Sequence, residues 1–134
     1  MSVDSQLVIE GDHTLEGGQE AFAKLWSLRA RPTAILCSND MTAIGVMRKS
    51  YEKKIPIPGE LSVIGFDNIH LSQYVLPPLT TIEMSQAELG RIAFHALLRE
   101  VQRDTPSPKG TEYVLKTNLV LRDSTAMISQ KRAL

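Results

Sequence analysis

The chain has 134 residues, enough for one domain that buries roughly two thirds of the surface its unfolded form exposes. Its 15 Lys and Arg are matched by 15 Asp and Glu, and this zero formal charge argues against a nucleic-acid surface, which needs a concentrated basic face. The single cysteine, Cys37, allows no internal disulfide and fits a reducing cytoplasm; no apolar run reaches the length of a membrane span, and Met1 to Gln6 lack the charged and apolar regions of a secretory signal.

Apolar runs alternate with segments of helical period. Leu7-Val8-Ile9 reads as a short buried strand ending at Glu10-Gly11. Thr14 stands where a helix cap would, with Glu16 favourable near the positive end. The inward face of that helix carries Ala21, Phe22, Leu25 and Trp26, and Arg31-Pro32 stops it. Thr33 to Cys37 is a second apolar run. The helix after it is capped by Asn39 or Asp40 and has Ala43, Ile44, Met47 and Tyr51 at helical spacing. Gly45 inside it costs about 1 kcal/mol relative to Ala, which close approach of the helix to the sheet would offset. A loop with Pro56, Pro58 and Gly59 leads to a third strand, Leu61 to Phe66. Nearly all-apolar strands joined by helices specify an α/β fold, a parallel sheet flanked by helices with right-handed crossovers.

After Tyr74 the texture changes. Pro77-Pro78 forces an extended segment, and Leu79 to Ile82 reads as a strand or a crossover linker. Ser85 and Glu88 have the spacing of a capping box, and Leu89, Ile92, Ala93, Ala96, Leu97 and Val101 behind them share one helical stripe. Thr105 to Gly110 is a loop, Tyr113-Val114-Leu115 and Leu119-Val120-Leu121 are two short closing strands, and a tail starts at Ser129.

Ligands of open parallel sheets bind beyond the carboxyl ends of the strands. The three runs deliver Gly11-Asp12-His13, Ser38-Asn39-Asp40 and Asp67-Asn68 to one edge. A carboxylate accepts from two hydroxyls, an Asn amide donates and accepts, and an imidazole offers a flat face, so the set suits a neutral ligand rich in hydroxyls or amides. Each residue also has a structural reading: Asp67 as a turn cap, Asn39 and Asp40 as helix caps, His13 as a loop residue. No Gly-rich phosphate cradle and no G-x-S-x-G elbow occurs, which argues against a nucleotide cofactor and against a hydrolase. A receiver-type phospho-acceptor at Asp67 lacks its Lys partner. His70 and His95 have no ligating neighbours in sequence, so no metal is expected. Cys37, within an apolar run, reads as core rather than nucleophile.

A series of short segments, in order, covers nearly the whole chain. Glu10-Gly11-Asp12-His13 with Gly17-Gly18 is followed by Arg31 to Ile35, Ser38 to Gly45 and Ile55 to Pro58. Leu61 to Asn68, Pro77 to Ile82, Leu89-Gly90 and Leu119 to Thr125 complete it. Together they resemble the effector domain of LacI/GalR transcription repressors. The resemblance implies a periplasmic-binding-protein-like fold, two lobes closing on a small effector such as a sugar or a nucleoside-like metabolite. It implies no catalysis, no cofactor, a cytoplasmic homodimer, and operator DNA bound only through a head absent from these residues. Residues 1–84 would belong to the C-terminal lobe without its first strand and helix, 85–117 to the mostly absent other lobe, 118–126 to a closing strand and 127–134 to a tail. By position Asp67 matches the aspartate that holds a sugar hydroxyl or purine, Asn39 the asparagine on a sugar, and His13 an aromatic that stacks on the ligand. Met84 stands where a polar contact is usual. The helix Met41 to Tyr51 and the segment His70 to Val75 match the dimer surface, which implies Met41, Ile44, Met47, Arg48, Tyr51, Leu71 and Tyr74 at the interface. The stripe from Ser85 to Gln102 would lack its partner and ligand affinity would be low, because half of the cleft is absent. The other reading, a sugar-binding protein of a transport system, shares this fold.

Overall fold

Two of the three apolar runs, and the segment after Pro77-Pro78, form parallel strands in a computed structural model that describes residues 4–103 and 110–127. They are β1 (Ala34–Leu36), β2 (Ser62–Phe66) and β3 (Thr80–Glu83), and β4 (Asn118–Val120) completes the order β1-β2-β3-β4. Ile35 pairs with Val63 and Gly65 with Thr81, so β1, β2 and β3 all end on one edge of the sheet. Of the segment Leu79 to Ile82, the residues from Thr80 on are therefore strand rather than linker.

The chain divides into two compact units, one of residues 1–83 with 119–134 and one of 84–118. In the first, helices α1 (Leu15–Ser27) and α2 (Asp40–Glu52) follow the capping rules: the Thr14 hydroxyl accepts Gly17 N–H and the Asn39 side chain accepts Thr42 N–H. The expected inward residues Phe22, Leu25 and Trp26 are buried, with the Phe22 and Trp26 rings stacked 5.1 Å apart. They join Ile35, Val46, Val63 and Leu79 in one core. A closing hook passes across the sheet at Ser124, whose buried hydroxyl accepts Thr80 N–H at 2.8 Å and donates to Val63 O at 2.6 Å.

Several expectations are corrected. Leu7-Val8-Ile9 is not a strand: an Asp4-capped 3-10 turn at Ser5–Leu7 precedes an extended but unpaired Val8, and Leu7 and Val8 are exposed. The apolar run has no neighbouring strand to bond, because it lies across an apolar groove of about 500 Å³ from β1. Gly45 approaches a helix rather than the sheet. A Cβ there would run into Leu15 O, and one at Gly18 into Thr42 O, so the two glycines let α1 and α2 pack backbone to backbone. Tyr113-Val114-Leu115 also forms no strand.

In the second unit, α3 (Gln86–Val101) begins at Ser85, which accepts Glu88 N–H. The capping box is only half made, since the Glu88 carboxylate turns to Arg91 instead of back to Ser85. No side chain of α3 is buried, and Leu89, Phe94, Leu97 and Val101 are exposed. Except for Gly110, the expected loop from Thr105 falls outside the described residues or at their margin, and the tail from Ser129 lies outside them. Among the described residues no helix is long and apolar enough to cross a membrane.

Candidate functional site

The segments that leave the carboxyl ends of β1 and β2 carry the expected site residues, and the loop before α1 reaches them without a strand to deliver it. Asp12 builds that loop by accepting Thr14 N–H at 3.0 Å and the Thr14 hydroxyl at 2.7 Å. Those bonds, the hydroxyl's first, hold its carboxyl below the usual range. His13 follows with a left-handed backbone, φ 65°, and an exposed ring. Its Nδ1 lies 3.1 Å from Ser38 Oγ, and its carbonyl accepts Asn39 Nδ2–H at 2.9 Å.

Asn39 is therefore both cap and bridge. Its Oδ1 accepts Thr42 N–H at 2.9 Å while Nδ2 donates to His13. A side-chain amide has two donors and two lone pairs, so one N–H and one lone pair remain for a ligand. The cap reading and the ligand reading are compatible.

Asp67, just past β2, is half-buried and also left-handed, φ 110°, with Asn68 after it at φ 52°. Two consecutive residues in that region cost on the order of 1–3 kcal/mol each and persist only when their surroundings hold them. The holding bonds are visible. Asp67 N–H donates to Ile82 O at 2.8 Å and Asn68 N–H to Thr81 Oγ1 at 3.3 Å. Asn68 Nδ2 donates to Glu83 at 3.1 Å, and Arg122 donates to Asn68 Oδ1 at 2.6 Å. The Asp67 carboxylate itself has no hydrogen bond or ion pair among the described residues; its negative charge acts on Asp40.

Sequence reasoning treated Asp40 as a second cap and passed over Arg122 and Thr81. Asp40 caps nothing. It is fully buried, and its two oxygens accept the Ile69 N–H at 2.9 Å and the Thr81 hydroxyl at 2.5 Å. Burial is the largest cause that pushes its carboxyl up from the usual range, against the two bonds that lower it. A Cβ at Gly65 would run into Asp40 Oδ1, and that glycine is the one sequence feature that makes room for a carboxylate here. Cys37 is buried and its thiol is pushed up to about 12, chiefly by burial and then by the Asp40 charge, which suits a core residue.

The residues expected at a dimer surface divide. Met41, Arg48, Tyr51, Leu71 and Tyr74 are exposed, with the His70 and Tyr74 rings 5.0 Å apart. Ile44 and Met47 are corrected: although they lie beside Arg48 and Tyr51 around α2, they are buried in the hydrophobic core and have almost no surface to offer.

Residues 4–125 match the family model of the periplasmic binding protein-like domain. The repressor PurR of Glaesserella parasuis is 38% identical over 132 residues, 96% of this chain and 39% of that protein. The repressor CytR of Escherichia coli is 42% identical over 100 residues, 75% of this chain and 29% of that protein. The chain thus spans about two fifths or less of the length of these relatives. A crystal structure of a LacI family transcriptional regulator from Enterococcus faecium with bound ribose superposes with a TM-score of 0.75 at 33% identity, covering 89% of this chain and 43% of that one. The chain belongs to the periplasmic binding protein-like domain family, in the form of a LacI-family effector-binding domain.

Proposed function

We propose that this chain is the ligand-sensing and dimerisation part of a transcription repressor. The observation that carries the reading is the uncommitted Asp67 carboxylate past β2, on the sheet edge that also carries the half-used Asn39 amide and the His13 ring. An acceptor for adjacent hydroxyls, a group that both donates and accepts, and a flat ring suit a small polyhydroxylated effector, a sugar or a nucleoside-like metabolite. The names of the relatives and the ribose in the Enterococcus structure support this class.

Met41, Arg48, Tyr51, Leu71 and Tyr74 form the dimer surface in this reading. Residues 85–117 belong to the second lobe of the effector domain and 118–126 return to the first. Operator DNA is contacted by a head domain outside these residues, in the cytoplasm, and the effector changes operator affinity by favouring one arrangement of the lobes. Calorimetric titration of the full-length protein with D-ribose, adenosine and cytidine tests the site. At least one binds, and Asp67→Ala abolishes that binding while circular dichroism stays unchanged; unaltered affinity in Asp67→Ala would remove the assignment.

A further inference from the structure

Asn39 and Asp67 are two of the three ligand groups of the proposed site, yet no bond joins them. The link runs through the residue between Asn39 and the body of α2. We infer that Asp40 is the positioning residue of the site, a buried carboxylate that fixes the left-handed Asp67–Asn68 turn against the start of α2.

Its Oδ2 accepts the N–H of Ile69, the residue that ends the turn, and its Oδ1 accepts the Thr81 hydroxyl. The same hydroxyl accepts Asn68 N–H, so one Thr oxygen relays the carboxylate to the middle of the turn. The two bonds join the start of α2 to Ile69 and, through Thr81, to Asn68, and Asp40 directly follows Asn39, whose side chain caps the same helix. Displacing the carboxylate therefore moves the turn relative to Asn39. Gly65 keeps the space beneath Asp40 empty, and Arg122 holds the far side of the turn through Asn68 Oδ1 and Leu79 O, at 2.6 and 2.7 Å. Two strained residues are over-determined from two sides, as such conformations require.

This inference rests on Asp67 and Asn39 being ligand groups, but its test reads the turn without ligand. Amide hydrogen exchange by NMR on the 134-residue chain compares Asp40→Ala with the wild type. Exchange at Ile69 and Asn68 rises about tenfold or more relative to the Val63 amide, and the Asp67 to Ile69 resonances shift. Asp40→Asn keeps an acceptor for Ile69 and restores its protection, a rescue that a mere loss of stability would not show. Should Asp40→Ala fail to fold, Asp40→Ser decides: its shorter side chain does not reach Ile69, so Ile69 and Asn68 exchange faster in the folded variant. Unchanged Asn68 and Ile69 exchange in the folded variant overturns the inference. Loss of effector response in Asp67→Ala is a separate result and tests only the ligand reading.

Discussion

The Asn39 amide bonds the backbone oxygen of His13 at 2.9 Å while its oxygen caps α2, so one side chain ties the loop before α1 to the start of the next helix. The two bonds can be separated. Asn39→Ala removes both, and loss of the cap lowers unfolding free energy by about 1 kcal/mol in urea titrations. Asn39→Asp keeps an acceptor for Thr42 N–H and places a negative charge at the helix N-terminus, which restores most of that stability. Asp cannot donate to His13 O, so the His13 resonances move in both variants. Equal stability of the wild type and Asn39→Ala would show that the cap contributes nothing.

Gly18 and Gly45 set the distance between α1 and α2, because a Cβ on either meets the backbone of the other helix. Helix propensity alone favours Ala over Gly by about 1 kcal/mol. Here the obstructing atoms are carbonyl oxygens of rigid helices, and the helices must part to admit the methyl. Overpacking of this kind costs about 1–3 kcal/mol, so Gly45→Ala lowers the urea midpoint where an exposed helical glycine would raise it. A stabilised Gly45→Ala would contradict the close packing of the two helices.

The carboxyl of Asp40 ionises at higher pH in the folded chain than in the unfolded one, because burial outweighs its two hydrogen bonds. The folded state then holds more protons between the two values. The contribution of Asp40 to stability is fully present below the ordinary value of 3.8 and falls as pH rises through the raised value. Asp40→Asn has no such proton to lose. The difference in unfolding free energy between wild type and variant therefore changes across the window just above 3.8 in the direction of a weakening wild type. A difference that stays constant with pH through that window, or changes in the opposite direction, would disprove the sign.

Most of the parallel sheet, the three α-helices and their caps are legible because each has a local signature: an apolar run, a 3.6-residue stripe, a Thr, Asn or Ser before it. The errors arose where the outcome depends on a distant partner. Leu7 to Ile9 has the composition of a strand, but no strand lies beside it to complete its hydrogen bonds. Ile44 lies on the same face of α2 as exposed Met41 and Tyr51, with Met47 next to it, and spacing alone does not say which of them the core made by Phe22 and Leu61 covers. Asp67, Asn39 and His13 are proposed as site residues from their place after apolar runs, and the structure bonds Asn39 to His13. Asp40 was misread because its partners, Ile69 and Thr81, stand 29 and 41 residues away. Nothing in Ser38-Asn39-Asp40 distinguishes a cap from a buried strut.

Cys37 gives a direct reading of the core. With its thiol pushed up to about 12 and its side chain buried, almost no thiolate exists near the ordinary thiol value of about 8.5. Alkylation of the folded chain at that pH proceeds only as fast as the chain opens, and rises to the rate of a free thiol in denaturant. Labelling of the native chain as fast as of the unfolded one would place Cys37 at the surface.

β1 is an edge strand of the sheet. Ile35 is in register with Val63 of β2, so the N–H and C=O of Ala34 and Leu36 point the other way. Leu36 is 73% exposed and Val8, across the groove, 64%. An apolar strand edge of this kind is a template for another chain unless a charge or a covering segment blocks it. Leu36→Lys places a charge on that edge without touching the core, because its side chain lies outside it. Sedimentation velocity then shows less concentration-dependent association for Leu36→Lys than for the wild type, at unchanged urea midpoint. Association that persists undiminished in the variant would mean that another surface, such as the exposed stripe of α3, carries it.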